Sequence, residues 1–276
     1  MRSKFKSVFA LATAAAVLLG GLGTASAATV GVAYVGGIWT QVAPMPPGVK
    51  GLNTNAVSWG TPYNGTQRGN PNGRQSGYSF VGAAAGEIET DTDFDLGTFT
   101  HSNFVINAGT SITSARLGVA INLIIGGTTR VVNTAFNFLH DETLNNTSGG
   151  AACANGGANG SGVNSAGCAD RVQIEGNRNS DQTFVVDGFE YILEITGFTV
   201  AGQLFSEFWT TEGQANSAVL RARFTLVGPT EPSPGPGPGP GPSPEPTPSP
   251  VPLPAAGWLM LAGLGALATA RARKKE

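Results

Sequence analysis

Alternation of apolar with more polar side chains is the feature that most limits what this chain can fold into. Between residues 113 and 125, apolar side chains occupy every second position. Successive side chains of a strand point to opposite faces, whereas a helix repeats every 3.6 residues. The segment therefore predicts a half-buried β-strand. Its apolar positions are Ala115, Leu117, Val119, Ile121, Leu123 and Ile125.

Further segments share this pattern, and none between residues 28 and 228 carries a capped helical stripe. Asp187 and Gly188 predict a tight hairpin because both residues tolerate positive φ. Many short strands separated by turn residues predict an all-β fold, an antiparallel β-sandwich with jelly-roll-like topology. The further predicted strands are 29–34, 78–81, 97–106, 129–139, 183–186, 190–198, 204–211 and 218–227.

The N-terminus has the three parts of a secretory signal peptide. Basic residues at positions 2, 4 and 6 precede an apolar run over 9–22 and a small-residue site that ends at Ala27. We expect residues 1–27 to direct export through the Sec translocon and to be removed before Ala28. A retained membrane helix is the alternative.

The C-terminus combines a linker with a membrane-length segment. Residues 229–250 are rich in Pro and Gly. Because Pro has no backbone N–H, this segment cannot form a helix or a sheet ladder. Residues 255–270 are uncharged and would span about 24 Å as a helix, against a hydrocarbon core of about 30 Å. The basic tail over 271–276 should stay cytoplasmic. We therefore predict one marginal C-terminal transmembrane helix, with a buried core helix as the alternative.

A short motif precedes that helix and consists of Val251, Pro252, Leu253, Pro254 and Ala255. Together with the apolar run and the basic end, it resembles the VPLPA-CTERM variant of the PEP-CTERM sorting signals. The resemblance implies an exosortase-type sorting enzyme in the inner membrane as a partner. It also implies removal of the tail and delivery of the 28–228 domain to the surface of a Gram-negative bacterium, or to the medium.

Charge limits the partners of the exported domain. The chain has 16 Lys and Arg against 18 Asp and Glu. Loss of residues 1–27 and 251–276 removes seven basic residues and one acidic residue, which leaves 9 against 17, or −8. Nucleic-acid partners require a basic footprint, so they are excluded.

The two cysteines, Cys153 and Cys168, flank a segment rich in Gly, Asn and Ser. In an exported chain such a pair predicts a disulfide. The spacing matches neither a CxxC redox motif nor a zinc site.

The only histidines are His101 and His140, and both sit beside polar side chains. With Asp141 and Glu142 they suggest a metal site or an acid–base pair. The alternative, which we favour from the sequence, is that each is a hydrogen-bonded structural residue at a strand end, because no third ligand with recognisable spacing follows.

Residues 99–106, FTHSNFVI, and 140–143, HDET, carry a second resemblance. They are similar to the THxN family of PEP-CTERM proteins, also found as choice-of-anchor K domains. The similarity extends over 59–60, 76–80, 187–191, 211–218 and the cysteine pair, and it departs at Leu144, where proline is expected. It implies an exported domain with no known enzymatic activity. The matching motif residues are Thr100, His101, Asn103, His140, Glu142 and Thr143.

The remaining candidate sites are weaker. Asp91, Asp93 and Asp95 begin like a calcium loop, but the glycine and the final acid are misplaced. We expect them to line the solvent face of an edge-like strand, with a structural calcium ion as the alternative. No other cofactor is expected, and no G-x-S-x-G, HExxH or phosphate-binding motif occurs between residues 28 and 228.

Three functions remain open at this stage. The first is a non-catalytic protein of the cell surface or exopolysaccharide. The second is a carbohydrate-binding module, for which aromatic residues could supply a stacking platform. The third is a hydrolase that uses one of the histidines. The aromatic candidates are Trp39, Trp59, Tyr63 and Trp209.

Overall fold

A computed structural model describes residues 27–63, 70, 72–145, 152–176 and 178–230, without the side chains of 178–182. Within these ranges the chain is all-β, which confirms the predicted antiparallel sandwich. Its strands are β1 (Thr29–Ala43), β2 (Ala56–Trp59), β3 (Ser76–Gly82), β4 (Gly86–Glu89), β5 (Asp93–Asn103), β6 (Ser114–Ile125), β7 (Thr128–Asp141), β8 (Asp170–Glu175), β9 (Arg178–Val186), β10 (Phe189–Val200), β11 (Gln203–Phe205), β12 (Glu207–Thr210) and β13 (Gln214–Pro229).

The strands form two antiparallel sheets that pack face to face. The first sheet has the order β12-β8-β7-β6-β1-β4. The second has the order β11-β10-β13-β5-β3-β2, and β9 pairs with β10. Strand β5 is therefore an interior strand of the second sheet, and β7 is an interior strand of the first. The C-terminal ends of these two strands lie at the same end of the sandwich.

The clearest alternating segment forms β6, as the sequence predicts. Its apolar positions from Ala115 to Leu123 are buried, whereas Arg116 is exposed. The hairpin at Asp187 and Gly188 is also confirmed: both residues have positive φ, 50° and 81°, and Val186 pairs with Phe189.

Most predicted strands differ from the structure at their ends, with 97–106 observed as β5 (Asp93–Asn103) and 183–186 as β9 (Arg178–Val186), and two differ in their course. The first strand does not stop at residue 34 but continues to Ala43, because it pairs with β6 as far as Ser114, and Gly37 lets it approach the opposite sheet. A Cβ there would lie 2.5 Å from the Phe80 ring. The segment 204–211 divides at Ser206 into β11 and β12, which belong to different sheets. Apolar residues on both sides of Ser206 conceal this change of sheet.

Three strands escaped prediction. β2 and β4 have four residues each, too few to show a period, and β4 carries two glutamates. β8 begins with a charged pair, Asp170 and Arg171, yet it alternates correctly, with Asp170 and Val172 buried. Its acidic first residue proves central to the candidate site.

Residues 1–26 of the predicted signal peptide, residues 231–250 of the predicted linker and the predicted sorting segment 251–276 lie outside the described residues. In the part of the chain that the structure describes, no helix is long and apolar enough to cross a membrane. The predicted helix at 255–270 falls beyond that part.

Candidate functional site

The two histidines meet between the sheets because both strands repeat the same short pattern. In β5 the inward positions include Phe99 and His101, and in β7 they include Phe138 and His140. Phe99 packs against Phe138 with ring centroids 5.4 Å apart. Two residues further along both strands, His101 meets His140 at 5.2 Å. Side chains on one face of a strand recur every two residues, so the contact between the two phenylalanines is followed by a contact between the two histidines.

A chain of hydrogen bonds orients His101. Its Nδ1 lies 2.8 Å from Oγ1 of Thr210, at the end of β12. That hydroxyl donates its only proton to the carbonyl oxygen of Asp170, 3.1 Å away. Oγ1 therefore accepts from Nδ1–H of His101, since a hydroxyl has one proton to give. Asn103 also donates to the Thr210 carbonyl at 3.0 Å.

His140 is held from the other side. Its Nδ1 lies 2.7 Å from the Tyr78 hydroxyl, and its Nε2 lies 3.5 Å from Oε2 of Glu142. Ser111 donates to the same Glu142 oxygen at 3.0 Å. Trp59 packs edge-on against the His140 ring at 5.3 Å. Burial is the largest cause of the raised pKa of Tyr78, so the phenol stays protonated.

Two buried carboxyl groups complete the cluster. Asp170 is fully buried and accepts from the Thr143 backbone N–H at 2.7 Å through Oδ1. Burial raises the pKa of Asp170 well above its usual value, the charges of Glu142 and Glu212 raise it further, and the Thr143 bonds lower it. Burial likewise raises the pKa of Glu212 from 4.5 to about 7, against the effect of a hydrogen bond from Asn145.

Several polar atoms of this cluster have no hydrogen-bond partner within the described ranges. They are Nε2 of His101, Oδ1 of Asn103, Oδ2 of Asp170 and Oε2 of Glu212. Buried polar atoms are rarely left unpaired, because each costs about 1–3 kcal/mol. Burial lowers the pKa of His101 well below its usual value, and His140 lowers it further, so the ring is neutral.

The residues of the THxN-like motifs converge here with one exception. His101, Asn103, His140 and Glu142 line the cluster, and Thr143 binds Asp170 and the carbonyl of Cys168. Thr100 instead faces outward and hydrogen-bonds Ser217. Both histidines are buried and hydrogen-bonded near the ends of their strands, and their rings share one site.

Sequence reasoning missed Tyr78, Asp170, Thr210 and Glu212 as site residues. For three of them the sequence pattern could have indicated an inward-facing position. Tyr78 and Asp170 occupy inward positions of alternating strands, and Thr210 ends one. Glu212 lies in the turn before β13 and carries no such signal.

The predicted disulfide is present. Cys153 and Cys168 are bonded, with Cα atoms 5.3 Å apart, and both are buried. Thr143 donates through Oγ1 to the carbonyl of Cys168 at 3.0 Å. The disulfide thus fixes the segment that leads directly into Asp170.

The acidic run at 91–95 is arranged differently from the prediction. β5 lies between β13 and β3, so it is not an edge strand. Asp91 stands in a turn with φ of 58° and accepts from the Leu226 backbone. Asp93 and Asp95 form ion pairs with Arg223 and Arg221. These arginines compete with any cation for the carboxylates.

The four aromatic candidates do not form one platform. Trp39 and Trp59 are fully buried in the core. Trp209 is half-buried beneath the guanidinium of Arg171, and Tyr63 is exposed.

Two surface clefts flank the cluster. One, of about 510 Å³, is bordered by Ser111, Glu142 and Asn145, so Glu142 stands between solvent and the buried histidines. The other, of about 710 Å³, lies on the second sheet and is lined by Lys50 and Arg74 among polar side chains.

Comparison with models of protein families and with curated proteins finds no match to this chain.

Proposed function

We propose that this chain is an exported, non-catalytic protein of the Gram-negative cell surface, associated with exopolysaccharide. The observation that carries the proposal is the order of motif, apolar run and basic end over 251–276. An exosortase-type enzyme recognises this tail in the inner membrane and releases the domain to the surface or the medium. The buried disulfide supports this destination, since disulfides persist in oxidising compartments.

A non-catalytic role is favoured over a hydrolase by the burial of the histidine pair. His101 is 0% exposed and His140 is 2% exposed. A general base must come within about 3 Å of the proton that it removes, and no substrate reaches these rings without a rearrangement of the sandwich. The pair is better suited to holding the two sheets together.

The cleft on the second sheet supports recognition of an acidic polysaccharide. Among its described lining residues are Lys50 and Arg74 but no carboxylate, in a chain whose residues 28–250 have a net charge of −8. Ser102 adds a hydroxyl group, whereas Ser58 and Gln75 hydrogen-bond each other at 3.0 Å within the cleft wall. The guanidinium of Arg74 lies 4.1 Å from the Phe104 ring centre, which holds it at the cleft. Uronic-acid polymers offer the complementary carboxylates.

The delivery proposal is tested by changing the tail in its natural host. Deletion of 251–276 should leave the domain unattached in the periplasm or medium. Replacement of both Pro252 and Pro254 by Ala, with the apolar run intact, should leave uncleaved protein in the inner membrane. C-terminal peptide mapping distinguishes the two products. Unchanged surface retention of the deletion variant would refute sorting by this tail.

The ligand proposal is tested by removing the two cleft charges. The double variant Lys50→Gln/Arg74→Gln should lose most of its binding to an acidic polysaccharide such as alginate. Arg116→Gln/Arg130→Gln removes the same charge from two exposed positions of the other sheet and is the matched control. Equal losses in both variants would show a general charge effect and reject the cleft.

A further inference from the structure

We propose that His101, His140 and Asp170 bind one divalent transition-metal ion of the zinc type between the two sheets. One ligand atom from each of these residues lies within 4.8 Å of the other two. All three side chains are at least 98% buried. The sheets contribute from both sides, since β5 carries His101 and β7 and β8 carry the other two.

The state of His101 suits a metal ligand. Its Nδ1–H is committed to Thr210, whose own proton goes to the Asp170 carbonyl. In a neutral imidazole the second nitrogen then carries a lone pair, and Nε2 has no partner among the described residues. Metal-binding histidines characteristically donate their other N–H to an oxygen acceptor, which fixes the tautomer and the ring. Thr210 has that role here.

The two carboxyl oxygens of Asp170 likewise have different roles. Oδ1 accepts from the Thr143 N–H at 2.7 Å, which orients the carboxyl group, whereas Oδ2 has no partner in the described part of the chain. A second carboxyl set, Glu142, Asp170 and Glu212, shares this residue and also has ligand atoms within 4.8 Å of each other. Binding of a dication would displace protons from these carboxyl groups, whose oxygens would then supply the negative charge that the ion needs.

The spacing and the ligand types select the class of ion. Ligands at about 2.1 Å from a zinc ion lie up to about 4 Å apart, so the observed spacing closes when each group moves inward by less than about 1 Å. Imidazole nitrogen suits zinc and similar transition ions, whereas calcium takes six to eight oxygens. Three protein ligands leave the fourth position of a tetrahedral ion, and Glu142 and Glu212 have carboxylate oxygens within 4.8 Å of one on Asp170. The ion would join the two sheets at one end of the sandwich, where hydrophobic packing gives way to polar groups.

The test uses the full chain with its disulfide intact, treated with a chelator and then titrated with Zn²⁺. We expect one Zn²⁺ per chain, a raised Tm, and visible d–d absorption when Co²⁺ replaces Zn²⁺. Asp170→Asn keeps Oδ1 and should weaken Zn²⁺ binding at least 10-fold. Asp95→Asn, an exposed aspartate on the same strand as His101, should leave binding unchanged.

A second pair of variants decides the matter if Asp170→Asn does not fold. Thr210→Val removes the acceptor of His101 Nδ1–H and should lower Zn²⁺ affinity about 10- to 100-fold, whereas Thr210→Ser should restore it. Three results would each overturn the proposal. They are the absence of stoichiometric Zn²⁺, equal Zn²⁺ affinity in the folded Asp170→Asn or Thr210→Val variant, and a Tm that responds to Ca²⁺ but not to Zn²⁺.

Discussion

Removal of the disulfide should cost this sandwich a measurable share of its stability. Cys153 and Cys168 are 15 residues apart. In the chain-entropy model, a bond that closes a loop of this length restricts the unfolded chain by about 3 kcal/mol at 25 °C. A domain is typically stable by only about 5–15 kcal/mol, so the loss is a large fraction of the total. We expect Cys153→Ala/Cys168→Ala to fold but to unfold at lower denaturant concentration.

The loop has contacts that survive this change. Asn164 exchanges amide hydrogen bonds with Asn155 at 3.1 and 2.9 Å and accepts from the Ala169 N–H at 2.9 Å. Thr143 still reaches the carbonyl of residue 168. The native loop should therefore persist in the variant, and the loss should come mainly from the greater freedom of the unfolded chain.

Guanidinium unfolding of the oxidised wild type and the double alanine variant measures the difference. A fall of about 3 kcal/mol in the free energy of unfolding is expected. Reductant should reproduce most of that fall in the wild type and have no effect on the variant, which is the control. A loss below about 1 kcal/mol would refute the entropic argument, because the loop would then be equally restricted without its covalent link.

Two further changes test the core and the buried acids. Gly37→Ala should lower the free energy of unfolding in urea by about 1–3 kcal/mol, since its Cβ would press on the buried Phe80 ring. Gly86→Ala, which has open space around its Cβ, should change it by less than about 1 kcal/mol. Equal effects of the two substitutions would contradict this reasoning. In chelator, stability should fall as pH rises from 4.5 to about 7, because unfolded Glu212 releases its proton first. Glu212→Gln should remove about 3 kcal/mol of that fall, and an unaltered pH profile would contradict the assignment.

Alternation predicted the strands that face the core, because a buried face imposes its period on the sequence. β6 and the Asp187–Gly188 hairpin follow from local patterns alone. The change of sheet at Ser206 is not visible in the sequence, since apolar side chains occur on both sides of it, although Leu204 and Phe205 are exposed and Phe208 is buried. Whether a strand lies at the edge or in the interior of a sheet is also not encoded in its own residues. This explains why the acidic segment of β5 was predicted to be edge-like.

The histidine cluster required knowledge of which strands face each other. Phe99-x-His101 and Phe138-x-His140 are identical patterns, but nothing local states that β5 and β7 oppose one another. Once the two phenylalanines are known to touch, the two-residue period places the histidines in contact. The repeated Phe-x-His is thus the signal that would have united them.

The carboxyl partners explain why a metal site could not be recognised by spacing. Asp170 is 30 residues from His140 and reaches it only because β8 pairs antiparallel with β7, where His140 stands opposite Val172. The disulfide sets the entry to β8 at Cys168, two residues before Asp170. Because the loop contacts survive without the bond, Cys153→Ala/Cys168→Ala should bind Zn²⁺ as tightly as the wild type, with strand pairing and Thr143 holding Asp170. A weakened affinity would show that the disulfide itself positions Asp170 and would contradict the persistence of the native loop.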